Sequence, residues 1–288
     1  IFATKDEDQK PGLLDSLNPF VKSEPGHDTT KKHSATNTQH HHGITWIDIE
    51  NPTKQQINKL AEDYSFHPLH LEDGLLEGSL PQLEKEENYL FLVLHIPILD
   101  KEGSKILESR VAVFLGKDYL ITIHTDASPN LGSLFAECEQ DEQQQKIYFK
   151  RSAGYLLYSI LKVLLDDTSK LVKTILSELD DAEDRVFDSQ NSDASVVADL
   201  RQKILRLRRT LGSFKSSTTD LAADVHQLTG ESLSHHFRDI NREATWLSEM
   251  ADEAEKTIEI YKDADFTAST ERTNEILAVL TIIFTLGI

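Results

Sequence analysis

The sequence predicts an α+β protein: an N-terminal α/β cytoplasmic domain with a mixed sheet, then a bundle of long helices whose last helix is a stalk entering the membrane. Three observations carry this. From Glu231 to Leu286 there is neither glycine nor proline, and as one helix this run would extend roughly 85 Å at 1.5 Å per residue. It begins strongly charged and ends apolar, with no charged residue after Glu275. Upstream, strand-like stretches rich in branched and aromatic residues give way to helical spacing after Pro129, the last proline of the chain.

Residues 1–43 are polar, interrupted by Pro11, Pro19 and Pro25, and read as a mobile arm. His40-His41-His42 could hold a transition metal, but three adjacent histidines without a partner cluster fit a solvated tail better. Residues 44–150 form the α/β domain. Ile44–Glu50 alternates as a strand, and Asn51-Pro52-Thr53 opens a helix with Thr53 as its N-cap. Ile57, Leu60 and Ala61 follow at helical spacing. Glu87–Leu99 reads as a strand. Ser109–Leu115 and Tyr119–His124 flank Gly116-Lys117-Asp118 as a hairpin.

Residues 151–230 read as a long antiparallel helix pair. Arg151–Asp188 is one helix, and Asn191-Ser192-Asp193 is the turn. The second helix carries a seam at Val197, Leu200, Ile204, Leu207, Leu211, Phe214, Leu221, Val225 and Leu228, interrupted only by Thr218, and Gly230 ends it. The stalk, 231–288, continues the same three-four spacing at Ile240, Ala244, Leu247, Ala251, Ala254, Ile258 and Tyr261, as coiled-coil seams do. Its apolar end, Ile276–Ile288, is shorter than the about 20 residues of a spanning helix. Together with the start at Ile1 rather than Met, this reads as a chain cut within its first transmembrane helix. No signal peptide is visible, which leaves the N-terminus on the cytoplasmic side.

Composition narrows the function. The net charge of −19 argues against nucleic acid and anionic membrane surfaces as partners and suits a protein that attracts cations. Cys138 is the only cysteine, so an intrachain disulfide and a cysteine-based zinc site are both excluded. Nucleophile-elbow, phosphate-loop, dinucleotide and zinc-protease motifs are all absent, so no catalytic residue is expected and the chain does not read as an enzyme. Glu178, Asp180, Asp181, Glu183, Asp184 and Asp188 make an acidic stretch that is either a solvated helix end or a cation-concentrating surface near a pore mouth. Mg2+ keeps most of its waters and needs only one or two carboxylates. Spacing alone therefore does not select its ligands from 49 acidic residues.

The motifs, in order, resemble the CorA family of magnesium and divalent-cation transporters. Thr45-Trp46-Ile47-Asp48 with Asn51-Pro52-Thr53, and His67-Pro68-Leu69-His70-Leu71-Glu72-Asp73, are similar to the family's N-terminal strand, helix and His-Pro-Leu-x-x-Glu-Asp motif. Glu87–Leu94, Ala153–Ile160, Phe237-Arg238-Asp239 and Thr273–Ile283 resemble the following strand, the start of the long helices and the stalk. The resemblance implies a homopentameric Mg2+ channel of the cell (inner) membrane, with Co2+ or Ni2+ also possible as cargo and this region cytoplasmic. It implies a regulatory Mg2+ between Asp73 and Asp239 of neighbouring subunits, whose loss opens the pore. Glu72 belongs to a second site of some members, but the matching aspartate is here Lys162, an ammonium that repels a divalent ion and could ion-pair with Glu72 instead. The Arg-Pro-Lys that follows the Glu-Asp motif is here Leu80-Pro81-Gln82.

For the pore, the resemblance implies an acidic ring at Asp263, an axial Asn274, and apolar rings at Leu277, Leu280 and Ile288 that gate by dewetting. The plain alternatives are a helix-capping Asp73, a solvated Asp239, and Leu277 and Leu280 in helix or lipid contact. Two other functions fit: a ZntB-like zinc transporter of the same architecture, and a membrane-anchored coiled-coil interaction protein.

Overall fold

The computed structural model describes residues 34–75, 78–125, 131–187 and 194–286. They form two compact units. The first comprises the chain up to Leu94, Arg110–Leu157 and Ala223–Leu233; the second comprises His95–Ser109, Tyr158–Ala222 and Ser234 onward. The units do not follow chain order. The start of the first long helix and a short helix near residue 225 fall in the first unit, and the far ends of two strands fall in the second.

The first unit is built on a mixed sheet. Its strands are β1 (Ala35–His41), β2 (Ile44–Glu50), β3 (Gln82–Lys85), β4 (Leu90–Leu99), β5 (Ile106–Leu115) and β6 (Tyr119–His124), in the order β1-β2-β6-β5-β4-β3. β2 runs parallel to β6, and β5 and β6 form the expected antiparallel hairpin. β1 corrects the reading of 1–43 as an irregular arm. Its polar residues are strand because His42 and Gly43, at φ 52° and 79°, make a two-residue turn that folds them onto β2. Residues 1–33 lie outside the described chain. β3 was not expected either: it is a four-residue edge strand with no alternation of its own, and pairing with β4 creates it.

Two helices pack on one face of this sheet. Asn51, at φ 49°, turns the chain and gives its N–H to the His124 carbonyl at 2.8 Å. Thr53 then starts α1 (Lys54–Asp63) with a reciprocal cap: its hydroxyl accepts from the Gln56 N–H, and the Gln56 side chain accepts from the Thr53 N–H at 2.8 Å. α2 (Pro68–Leu75) follows. Beneath them lies an aromatic core, with Phe66 on Phe114 at 4.3 Å and Phe91 on Phe114 at 4.8 Å between ring centres. On the opposite face Trp46 packs on Phe135 of α3 (Leu131–Gln140), which α4 (Glu142–Tyr148) follows.

The second unit is helical. α5 (Ala153–Phe187), α6 (Ala194–Thr218) and α8 (Ser234–Leu286) are its long elements, with the short α7 (Leu221–Thr229) from Ala223 on and the first turn of α5 belonging to the first unit. The expected single helix through Leu228 is two. Its break falls in Ser216-Ser217-Thr218-Thr219-Asp220, where the hydroxyls of Thr218 and Thr219 bond back to the Phe214 and Lys215 carbonyls. The seam is as expected: Val197, Leu200, Ile204, Leu207, Leu211 and Phe214 of α6, and Ile240, Ala244, Leu247, Ala251, Ala254, Ile258 and Tyr261 of α8, are all buried. Ion pairs flank it, with Arg208 reaching Asp252 at 2.6 Å and Glu255 at 3.0 Å, and Arg201 bonded to Glu259.

Candidate functional site

The candidate residues fall in three places. Glu72 and Asp73 sit near the end of α2 in the first unit, both half-buried. Arg110 closes that helix end. Its guanidinium donates to the carbonyls of Asp73 and Gly74, the latter at 2.8 Å, and to the Ser79 hydroxyl at 3.1 Å, placing a cation where the helix dipole is negative. The Asp73 carboxylate is held by a neutral group: Gln82 Nε2 donates to its Oδ2 at 2.9 Å. The structure thus shows what Gln82 does at the position where the family pattern has lysine.

The motif upstream has a structural reason. Tyr89 Oη accepts the His67 N–H at 2.8 Å and shares a hydrogen bond with His70 Nδ1 at 2.8 Å, while His70 Nε2 faces Glu84 Oε2 at 3.0 Å. The Glu84 carboxylate can only accept, so His70 Nε2 is the donor in that bond. The ring also stacks on Phe91 at 4.5 Å. This network seats the first turn of α2 on β3 and β4, and so determines where Glu72 and Asp73 emerge.

Asp239 lies on the second turn of α8, in the second unit, inside a mixed-charge cluster. Lys162 of α5 is bonded to Glu243 and lies 3.5 Å from Asp166 and 4.0 Å from Asp239 Oδ2. Arg242 pairs with the other oxygen of Asp239. Burial alone pulls the Lys162 pKa down, but the hydrogen bond and charge of Glu243, with Asp166 and Asp239 behind it, outweigh that and hold it above its ordinary value. Lys162 is therefore a permanent cation, with carboxylate partners inside its own unit. Sequence reading identified Lys162 as a misfit but not Asp166, Arg242 or Glu243 as its company. The signal was the i,i+4 spacing of Lys162 with Asp166 and of Asp239 with Glu243.

The third place is the far part of α8. Among the described residues the last buried one of the seam is Tyr261, whose hydroxyl donates to Glu183 at 3.0 Å. Beyond it Asp263, Asn274, Leu277 and Leu280 are exposed. At 3.6 residues per turn these four fall within about 120° of arc, so one face of the helix carries them all. Ile276, Leu277, Val279, Leu280, Ile282, Ile283 and Phe284 are 42–68 % exposed, and at 3.6 residues per turn they cover about 220° of the helix, with Ala278, Thr281 and Thr285 on the rest. Thr281 and Thr285 turn their hydroxyls onto the carbonyls of Leu277 and Thr281 at 2.7 and 2.8 Å, which hides the only polar groups there. Among the described residues no helix is long and apolar enough to cross a membrane. Ile288, Asp188 and the turn 191–193 lie outside them.

Among the described residues no group of three or more His, Cys, Asp or Glu side chains is arranged to hold a metal. His40 bonds Thr45 Oγ1 at 2.9 Å, and His41 meets the edge of Phe149 at 5.0 Å. In the acidic stretch of α5, Glu178 is paired with Lys203 at 2.8 Å and Glu183 accepts from Tyr261.

Residues 41–288 match the family model described as CorA-like Mg2+ transporter protein. The cobalt/magnesium transport protein CorA of Thermotoga maritima is 27% identical over 245 residues, which cover 84% of this chain and 69% of that protein. The solved soluble domain of CorA from Methanocaldococcus jannaschii is similar at a TM-score of 0.69 and 20% identity, covering 78% of this chain and 89% of that one. The ZntB cytoplasmic domain from Vibrio parahaemolyticus is similar at 0.63 and 16%, covering 79% and 88%. At these identities the two structures show a shared fold.

Proposed function

The chain belongs to the CorA family of Mg2+ transporters, and from that premise we propose that it is the sensing and stalk region of a homopentameric Mg2+ channel. In this reading the first unit and the bundle are cytoplasmic, and α8 leads into the cell membrane. Co2+ and Ni2+ are further possible cargo. A regulatory Mg2+ is held between Asp73 of one subunit and Asp239 of the next. Its binding neutralises two carboxylates and favours the closed ring, and its loss lets them repel, a ligand-biased two-state equilibrium.

The observation that carries this is the continuity of α8. One helix of 53 residues, Ser234–Leu286, bears Asp239 near its start and the exposed apolar collar Ile276–Phe284 near its end. A helix transmits displacement along its axis, so a change at Asp239 reaches the collar without a hinge. The donor chemistry also fits Mg2+. Asp73 and Asp239 are half-buried hard oxygen donors, and a hydrated Mg2+ needs only one or two carboxylates. A second site at Glu72 is not supported, because Lys162 stands where its partner carboxylate would be. Asp263, Asn274, Leu277 and Leu280 are the residues we assign to the pore axis, with Ile288 as a further ring.

The test is the mass of the protein in solution with and without millimolar Mg2+, for the wild type and for Asp239→Ala. Association promoted by Mg2+ and lost in the variant is the expected result. Association indifferent to both removes the sensor. A response to Zn2+ with none to Mg2+ would favour the zinc-transporter reading, for which the ZntB-like fold is the supporting observation.

A further inference from the structure

Asp239 is not a bare carboxylate. The Lys162 ammonium stands 4.0 Å from its Oδ2, 3.5 Å from Asp166 Oδ1, and is hydrogen-bonded to Glu243. Three carboxylates from two helices thus surround one ammonium, and the positive charge among them is supplied by the chain itself. Both Lys162 and Asp239 keep 34% of their side-chain surface exposed, so the cluster is open to ions in solution. Arg242 adds a second cation on the other oxygen of Asp239.

We propose that Lys162 is a tethered competitor of Mg2+ at Asp239, raising the Mg2+ concentration at which the sensor fills. This rests on the reading of Asp239 as a sensor ligand. A divalent ion that reaches Asp239 brings two charges next to an ammonium that cannot leave, because Glu243 and Asp166 anchor it. Either the ion binds against that repulsion, or Lys162 withdraws towards Glu243 and loses its attraction to Asp239. Both routes weaken binding relative to a bare carboxylate. The same ammonium ties α5 to α8 at every Mg2+ concentration, so that contact does not depend on the ion.

The test is a Mg2+ titration of the full 288-residue chain, following solution mass and melting temperature together. The forms compared are wild type, Lys162→Met, the charge-balanced pair Lys162→Met with Glu243→Gln, and Lys162→Met with Asp239→Asn. Lys162→Met is expected to lower the Mg2+ midpoint by about three- to tenfold, the size expected for removal of one half-exposed like charge. The charge-balanced pair is expected to shift the same way, which excludes a simple change of net charge and guards against misfolding of the single variant. The Asp239→Asn combination is expected to lose the response. An unchanged midpoint in Lys162→Met, with the response still dependent on Asp239, overturns the role of Lys162 and leaves the sensor standing. A lowered midpoint that survives Asp239→Asn overturns it as well, because the ion would then be bound elsewhere. No Mg2+ response in any form overturns both this inference and the sensor reading.

Discussion

His124 Nε2 lies 3.2 Å from both carboxylate oxygens of Asp48, while its Nδ1 faces the Thr125 carbonyl at 3.1 Å. Both ring nitrogens therefore meet acceptors, and only the imidazolium has a hydrogen for each. Burial pulls the His124 pKa down, but the hydrogen bond and charge of Asp48 more than offset it and hold it above the ordinary value of 6.5. Asp48 is further held by the Thr122 hydroxyl, which in turn accepts from Trp46 Nε1 at 3.1 Å. The four side chains link β2 to β6 at the centre of the sheet.

The sign of the pH dependence follows. A raised folded-state pKa means that the pair contributes fully below the ordinary histidine value, where both the folded and unfolded states are protonated. The contribution is lost as pH rises through the folded value. The urea midpoint is expected to fall between pH 6 and pH 9, and His124→Gln is expected to flatten that part of the profile. Asp48→Asn leaves a buried imidazolium without its counter-charge and should cost on the order of 3 kcal/mol at pH 6. A wild-type midpoint that is level or rising over this range would show that His124 is neutral in the folded protein.

Gly154 of α5 lies close against Val225 and Thr229 of α7. A Cβ placed there would stand 2.5 Å from Val225 Cγ1 and 3.3 Å from Leu233 Cδ1. Alanine in a helix gains about 1 kcal/mol over glycine, yet overpacking of this kind costs about 1–3 kcal/mol. Gly154→Ala is expected to destabilise on balance, and Val225→Ala in the same chain should recover part of the loss. In a double-mutant cycle by urea unfolding, strict additivity would mean that the two helices are not in tight contact there.

Gln82 offers Asp73 a hydrogen bond without a charge. Gln82→Lys would replace it with an ammonium competing for the same carboxylate. If Asp73 binds Mg2+, the Mg2+ midpoint for association should rise by about three- to tenfold. Gln82→Met removes the hydrogen bond without adding charge and should leave the midpoint within about twofold. Equal effects from both variants would mean that Gln82 acts by positioning α2 and not through the charge it leaves on Asp73.

How legible each element was depends on where its cause lies. α8 could be read because its cause is local: no helix breaker from Glu231 to Leu286, and a seam with a three-four repeat. The Thr53 cap could be read for the same reason. β1 could not, because Ala35–His41 is polar and becomes strand only through the His42-Gly43 turn and pairing with β2. The α6–α7 break was masked by a seam that keeps its period across Thr218. Asp73 and Asp239 were proposed only through resemblance, since single carboxylates carry no periodicity. Asp166 was legible as an i,i+4 partner of Lys162, but Asp239 and Glu243 were not, because they are about eighty residues away and meet it only when α5 and α8 pack. The Asp48–His124 pair was missed for the same reason.

The end of α8 makes the last prediction. Among the described residues Tyr261 is the last buried one of the seam, and the apolar side chains from Ile276 to Phe284 stay exposed. Side chains that stay exposed add little to stability, so a chain shortened after Glu275 should unfold within about 0.5 kcal/mol of the full chain. The same deletion should abolish binding to detergent micelles, measured by co-sedimentation, because it removes the exposed apolar surface. Thr281→Val and Thr285→Val, whose hydroxyls are already turned onto backbone carbonyls, should leave micelle binding intact or strengthen it. A loss of more than about 2 kcal/mol on shortening the chain would show that the segment packs against the bundle in solution. The exposed collar would then be part of the core and not the surface offered to a membrane.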